Sequence, residues 1–308
     1  MLTSNAKAAH GLYGSPPEDL AEGAVGAAQY SPLVPGAASL EAAAPGTLQG
    51  MTVLAPPGTL ERRYTVALAL RALAVGAPLT VLAPKDKGGL RIAKELAAFG
   101  CDVGETARSH FRICETLRPA LLQGTDEAIA EGGSRRDPDL GLHTQPGVFS
   151  YDRIDPGSAL LLQHLPKLGG RGADLGCGIG TLALAVLGSS KVTSLALVDL
   201  DRRAVEAARR NVLDTRATIA WGDVRAWKDA PSMLDFVVMN PPFHEAGIED
   251  RGLGQAFIRQ AAAMLRPGGF LHMTANRHLP YEDILKPLFK LVVLKAESGG
   301  YKIFEARK

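Results

Sequence analysis

Short apolar runs separated by amphipathic stretches organise the second half of the chain. Ala173-Asp174-Leu175, Leu195 to Val198, Ala217 to Trp221 and Leu234 to Met239 each have the length and apolar content of a buried strand. Thr181 to Leu187 is almost wholly apolar and predicts a helix packed on a sheet. Arg202 to Leu213 carries Ala204, Val205, Ala208 and Val212 at helical spacing, an amphipathic helix ending near Asn211. Gly269 to Ala275 is a further apolar strand. The first half repeats the rhythm: Met51 to Leu54, Leu79 to Leu82 and Cys101 to Val103 read as strands, Leu90 to Phe99 as a helix, and Phe111-Arg112 fits an edge strand. Strands alternating with helices predict an α/β chain built from βαβ units.

At 308 residues and 46% hydrophobic content the chain is long and apolar enough for two cores. Residues 1–46 are rich in Ala, Gly and Pro and read as a flexible segment, with Tyr13-Gly14-Ser15-Pro16-Pro17 open as either a docking motif or a floppy arm. Glu131 to Pro138 breaks regular structure, which divides the remainder into domains at 47–140 and 146–308. Lys and Arg number 34 against 32 Asp and Glu, so charge alone does not argue for a nucleic-acid partner. The cluster Arg202, Arg203, Arg209 and Arg210 is by itself an ordinary solvated helix face. Cys101, Cys114 and Cys177 are odd in number and too widely spaced for a zinc motif, which suits a reducing cytoplasm and no metal. With no 18-residue apolar run and no signal-peptide pattern in residues 1–20, neither membrane insertion nor export is expected.

Candidate chemistry concentrates at the strand ends. Asp174 is followed by Gly176, Gly178 and Gly180, a turn in which backbone can approach a ligand that side chains would exclude. A nicotinamide-binding fold uses a related turn, but its G-x-G-x-x-G spacing differs and it lacks an acid two residues before the first glycine. Asp199 closes the next strand, where a carboxylate accepts hydrogen bonds from both ribose hydroxyls of a bound nucleoside. Asp223 follows the third strand, after Gly222, and is the candidate acceptor for an adenine amino group.

The fourth strand delivers Asn240-Pro241-Pro242-Phe243 to the carboxyl edge of the sheet. An exocyclic base amine is a poor nucleophile because its lone pair is delocalised into the ring. Two acceptors that hold both N–H bonds turn that lone pair toward an electrophilic methyl, and the Asn240 side-chain oxygen with the Pro241 carbonyl supplies them. The prolines fix φ near −65° and stiffen the loop. Phe243 offers a face for a flipped base. Glycine turn, ribose acid and Asn-Pro-Pro-Phe in this order read as an S-adenosylmethionine (SAM)-dependent amino-methyltransferase.

Pro146 to Ser150, Asp155 to Ser158, Ala173 to Gly180, Asn240 to His244, Ala275-Asn276, Leu279 to Tyr281 and Gly300 to Phe304 together resemble the catalytic domain of the RsmC-type ribosomal RNA small subunit methyltransferases. That family methylates the N2 amine of a guanine. The resemblance implies two tandem, doubly wound Rossmann-like methyltransferase domains, a seven-stranded sheet in the second, a degenerate first, and ribosomal RNA within the small subunit as substrate. Phenylalanine after the prolines fits the guanine-N2 group, whereas adenine-N6 and glutamine-N5 enzymes favour tyrosine. Those acceptors remain alternatives, as does a non-catalytic ribosome-binding factor. No internal motif repeat is visible, and no acid-plus-glycines element precedes residue 170. Ala55-Pro56-Pro57-Gly58 stands where a cofactor turn is expected, which implies one SAM site per chain. Lys85, Lys87 and Gly88-Gly89 form a candidate phosphate turn, though they read first as a solvated loop. His272 reads as a satisfied core or edge group, and His244 is a polar turn residue or a neighbour of the base.

Overall fold

The computed structural model describes residues 10–21, 26–242, 244–245, 248–249 and 251–308, with backbone alone at 244, 245, 248, 249 and 251. The chain divides into two compact units, Met1–Ser134 with Gln145–Gly147, and Arg135–Thr144 with Val148–Lys308.

The first unit holds strands β1 (His10–Tyr13), β2 (Ala28–Gln29), β3 (Gly50–Leu54), β4 (Pro78–Pro84), β5 (Gly104–Arg108) and β6 (Phe111–Leu117). Its helices are α1 (Thr59–Ala72), α2 (Ile92–Ala98) and α3 (Thr125–Gly132). The six strands run in the order β2-β1-β3-β4-β6-β5. Neighbours from β2 to β4 are parallel, while β6 is antiparallel to both β4 and β5. Leu68, Leu70, Leu79, Val81 and Phe99 form its core.

Three expectations for this half are corrected. The described residues of the N-terminal segment, 10–21 and 26–46, are not a free arm, because β1 pairs in register with β3 and buries Tyr13, and Leu40 is buried in the same core. The strand placed at Cys101–Val103 starts at Gly104, after the chain has turned from α2. Phe111-Arg112 opens a seven-residue strand inside the sheet, and the edge is β5, whose residues are all exposed.

The second unit begins with the hairpin β7 (Arg135–Arg136) and β8 (His143–Thr144). It continues through α4 (Pro156–His164), β9 (Gly170–Leu175), α5 (Thr181–Leu187), β10 (Val192–Asp199), α6 (Arg202–Asn211), β11 (Ala217–Trp221) and β12 (Leu234–Met239). A small hairpin, β13 (His244–Glu245) and β14 (Ile248–Glu249), precedes α7 (Arg251–Met264), β15 (Leu265–Asn276), α8 (Glu282–Leu288), β16 (Leu291–Ser298) and β17 (Tyr301–Arg307). The seven-stranded sheet has the order β11-β10-β9-β12-β15-β17-β16, with β17 antiparallel to both neighbours.

Continuous apolar strands are required here because both faces are covered. Along β12, Val237 and Met239 pack in one layer with Phe257, Ile258 and Ala261 of α7. Phe236 and Val238 pack in the opposite layer with Leu161, Leu182, Val186 and Ala208. That alternation makes the unit doubly wound.

The two sheets share a connectivity, in keeping with the tandem architecture that the family resemblance implies. The run β3-α1-β4-α2-β5-β6 has the order and strand directions of β12-α7-β15-α8-β16-β17. β1 stands beside β3 as β9 stands beside β12. Ala55-Pro56-Pro57-Gly58, after β3, is therefore the topological counterpart of Asn240-Pro241-Pro242-Phe243, not of the glycine turn. With Ala55 aligned to Asn240, the pairings Tyr13 with Val53 and Asp174 with Val238 put Tyr13 at the position of Asp174. Among the described residues, two short strands, β1 and β2, stand for the β9–β11 half in the first sheet.

Candidate active site

At the carboxyl end of β9 the backbone turns through Gly176, Gly178 and Gly180, all with positive φ (73°, 54° and 93°). L-residues resist that region, which explains the glycines. A Cβ on Gly180 would lie 2.7 Å from a Val212 methyl, so this residue also lets the turn pack on the chain after α6. A Cβ on Gly178 would meet no protein atom within 4 Å, and Gly178 lines an open cleft together with Ile179 and Asn240. The bare backbone there is exposed to a ligand.

Asp199 ends β10 and fastens this turn. Gly178 donates its N–H to Asp199 Oδ2 at 2.8 Å, and Asp201 donates to Oδ1 at 2.9 Å. Each oxygen keeps a lone pair for a further donor. Burial, opposed by those amides, pushes the Asp199 carboxyl up to about 6. Asp174 is wholly buried, and neither oxygen has a hydrogen-bond partner of good geometry. Burial first, then the neighbouring Asp199, raises its pKa to about 8, with the Ala183 amide acting weakly the other way. An open glycine turn with the Asp199 carboxyl beside it fits a nucleoside cofactor such as SAM.

Asn240 faces the same cleft from the end of β12. Its Nδ2 donates to Asp155 Oδ2 at 2.8 Å and to Ser158 Oγ at 2.9 Å. Only an NH2 group can donate to a carboxylate, so this orientation of the amide is chemically determined. Asp155 is also the N-cap of α4, accepting from the Ser158 N–H at 2.8 Å, with Pro156 at the first helical position. The Asp-Pro pair is a sequence-legible helix start, but its bond to a residue 85 positions away is not. Pro241 is buried behind the loop, and Phe243 lies outside the described residues.

Asp223 does not line the cleft. It caps a short 3-10 turn, Val224–Ala226, and both oxygens are held by Arg225, with Nη2 at 2.7 Å from Oδ2. Hydrogen bonding to Arg225 keeps its carboxyl below the ordinary value. The arginine cluster on α6 is split: Arg202 and Arg203 are buried, Arg202 over the Trp221 ring and Arg203 on Asp201, so only Arg209 and Arg210 face solvent. His272 is buried in β15, 3.6 Å from Glu305, and burial lowers its pKa to about 4, so it is neutral near pH 7. Phe149, half of it exposed at the cleft mouth, carried no sequence signal beyond the family resemblance.

The counterpart region of the first unit is closed from within. Arg62 of α1 is fully buried. It donates to the carbonyls of Pro56 (3.3 Å) and Pro57 (2.8 Å) and to both oxygens of Glu95 (2.7 Å each). The acceptors that the loop after β3 could present are taken by the protein's own guanidinium.

An open seven-stranded sheet with an antiparallel penultimate strand, a glycine turn after β9, an acid ending β10 and Asn-Pro-Pro ending β12 define a SAM-dependent methyltransferase of the amino-acceptor type. Residues 139–305 match the family model of the methyltransferase small domain. The ribosomal RNA small subunit methyltransferase C of Pseudomonas aeruginosa is 32% identical over 289 residues, covering 91% of this chain and 86% of that protein. Its counterpart in Shewanella loihica is 31% identical over 85% of this chain and 78% of that protein. The structure of T. thermophilus 16S rRNA N2 methyltransferase (RsmC) in complex with AdoMet and guanosine superposes with a TM-score of 0.80 at 26% identity, covering 99% of this chain and 90% of that one. The chain belongs to the ribosomal RNA small subunit methyltransferase C family.

Proposed function

We infer that this protein transfers a methyl group from SAM to the exocyclic N2 amine of a guanine in 16S ribosomal RNA, presented by the small subunit in the cytoplasm. The observation that carries the reading is the Asn240 amide: both of its N–H bonds are anchored on Asp155 and Ser158, beside the glycine turn of the same cleft. Its oxygen is thereby left as an acceptor for an incoming amine. The names of the relatives and the guanosine bound in the T. thermophilus structure support guanine over adenine or glutamine. Among the described residues no helix is long and apolar enough to cross a membrane, and no cluster of His, Cys, Asp and Glu is suited to a metal.

Bound SAM supplies a sulfonium-activated methyl group. Asp199 holds its ribose, and Gly176, Gly178 and Gly180 let the chain approach it. Asp174 lies behind this turn as a buried carboxyl, and Asp223 shares its carboxylate between Arg225 and the adenine amine. Asn240 Oδ1 and the Pro241 carbonyl accept the two amine hydrogens, which frees the nitrogen lone pair for in-line attack. Phe243 stacks on the base. Orientation is the main source of acceleration and is worth up to ~7–11 kcal/mol in favourable systems. The amine loses its proton once alkylated, so no general base is needed at the start.

We assign the chemistry to residues 146–308 and a supporting, RNA-orienting role to the first unit, whose acceptor loop is filled by Arg62. The test presents labelled SAM to small subunits, large subunits, naked RNA, DNA and protein in parallel, with mass spectrometry of the digests. Label in N2-methylguanosine from small subunits is the expected product. N6-methyladenosine or methylglutamine would replace this reading.

A further inference from the structure

Asn240 sits at the centre of a hydrogen-bond cluster that the general chemistry of an Asn-Pro-Pro loop does not require. A free asparagine amide has a donor end and an acceptor end of nearly equal shape, and a flip about its last torsion exchanges them. For an amine substrate only one orientation works. In this protein the orientation is set from three directions. Asp155 Oδ2 accepts one Asn240 hydrogen at 2.8 Å, and Ser158 Oγ lies 2.9 Å from the same nitrogen. Asp155 is itself held by the Ser158 backbone N–H at the start of α4, and Tyr301 stands beside it at the start of β17. Tyr301 has a fixed seat, since a side chain on Gly157 would overlap its ring. Three segments far apart in sequence, the end of β12 and the starts of α4 and β17, meet in this cluster.

We propose that Asp155 is a positioning residue for methyl transfer, locking the Asn240 side chain as an acceptor so that the site receives an NH2 group and rejects a carbonyl. Ser158 is its second anchor, and Tyr301 stands beside Asp155. The proposal rests on the amino-acceptor reading above. The required feature is a single acceptor oxygen on residue 155, not its charge. An asparagine there can present Oδ1 to both the Ser158 N–H and Asn240. A serine there keeps the cap on α4, since serine and aspartate are comparable N-caps, but its hydroxyl is spent on the cap and does not reach Asn240.

The experiment compares Asp155→Asn and Asp155→Ser with the native full-length protein. The first measurement is the nitrogen-15 spectrum of the Asn240 side-chain amide with SAM bound, assigned through the loss of its peaks in Asn240→Ala. Its two hydrogens are expected to be shifted and slow to exchange in the native protein and in Asp155→Asn, and to become free in Asp155→Ser. The second is single-turnover methyl transfer to small subunits at saturating SAM. Asp155→Ser should fall by on the order of tenfold or more while its SAM affinity, read by calorimetry, stays within about threefold of native. Asp155→Asn should keep most of the native rate. An Asn240 amide unchanged in Asp155→Ser, or a native transfer rate in that variant, overturns the proposal. So does an equal loss in Asp155→Asn, which would mean that charge and not orientation matters. If the amide responds as expected but the native protein methylates no guanine, the clamp stands and the substrate assignment falls.

Discussion

In the proposed mechanism Asn240 and Asp199 separate the two tasks of the site at the level of single side chains. Asn240→Ala removes one preorganised partner of the acceptor amine and should lower single-turnover transfer by on the order of 10²-fold or more, with SAM binding nearly intact. Near-native turnover would make the loop structural. Asp199→Ala removes the carboxylate at the end of β10 and should weaken SAM by about 1.5–3 kcal/mol, the value of a charge-assisted bond. Calorimetric titration of the folded variant reads this, and an unchanged affinity would sink the assignment. Asp174 yields a pH prediction. Its carboxyl is raised from 3.8 to about 8 in the folded protein, so the fold holds a proton that the unfolded chain releases between those values. The stability it contributes is present below pH 3.8 and lost as pH rises through about 8. Without SAM, the melting temperature of the native protein should fall over that range more steeply than that of Asp174→Asn. Parallel curves in scanning calorimetry would show that the proton is not held there.

Elements, more than residues, explain why the first unit differs from the second. The loop after β3 keeps the prolines of the loop after β12 but has Ala55 in place of Asn240, and Arg62 consumes its carbonyls. Where β9 ends in a buried acid and three glycines, β1 ends in Tyr13 and Gly14-Ser15-Pro16-Pro17. Among the described residues of the first unit neither an acid-and-glycine turn nor an Asn-Pro-Pro loop is present. Arg62 is fully buried and Glu95 is its carboxylate partner. Removing one partner of such a pair leaves an uncompensated charge at a cost of about 3–5 kcal/mol. Glu95→Ala should therefore destabilise the protein by that order, seen as a lower calorimetric transition, with less effect for Glu95→Gln, which keeps an acceptor. A native-like transition in Glu95→Ala would mean that water reaches the guanidinium.

For the whole molecule the expected stoichiometry is one SAM per chain, and two equivalents in a titration of the full-length protein would refute the division between the units. The division is not a single cut. Residues 135–144 carry β7 and β8 and belong to the second unit, whereas Gln145–Gly147 belong to the first. His143 and Asn211 bind each other through two hydrogen bonds, 2.7 and 2.9 Å long, and Asn211 also donates to Ile179 O in the glycine turn. A chain begun at residue 145 would remove this support, so loss of activity in such a fragment would not by itself measure the contribution of the first unit.

Local chemistry was legible in the sequence wherever neighbours along the chain do the work. The buried strands β9 to β12 declared themselves as apolar runs, the glycine turn by its spacing, and Asp199 and Asn240 by ending those runs. Composition could not show that residues 10–13 join a sheet, since backbone pairing with β3 depends on a partner 40 residues away. The repeat between the units was legible as rhythm and by resemblance, but no motif marked its register. It survives in strand order and direction, which no side chain encodes, while Ala55 and Tyr13 have replaced the residues that would have marked it. The Asp155–Asn240 bond and the Arg62–Glu95 plug likewise join distant segments, and only folding brings their atoms within hydrogen-bond distance.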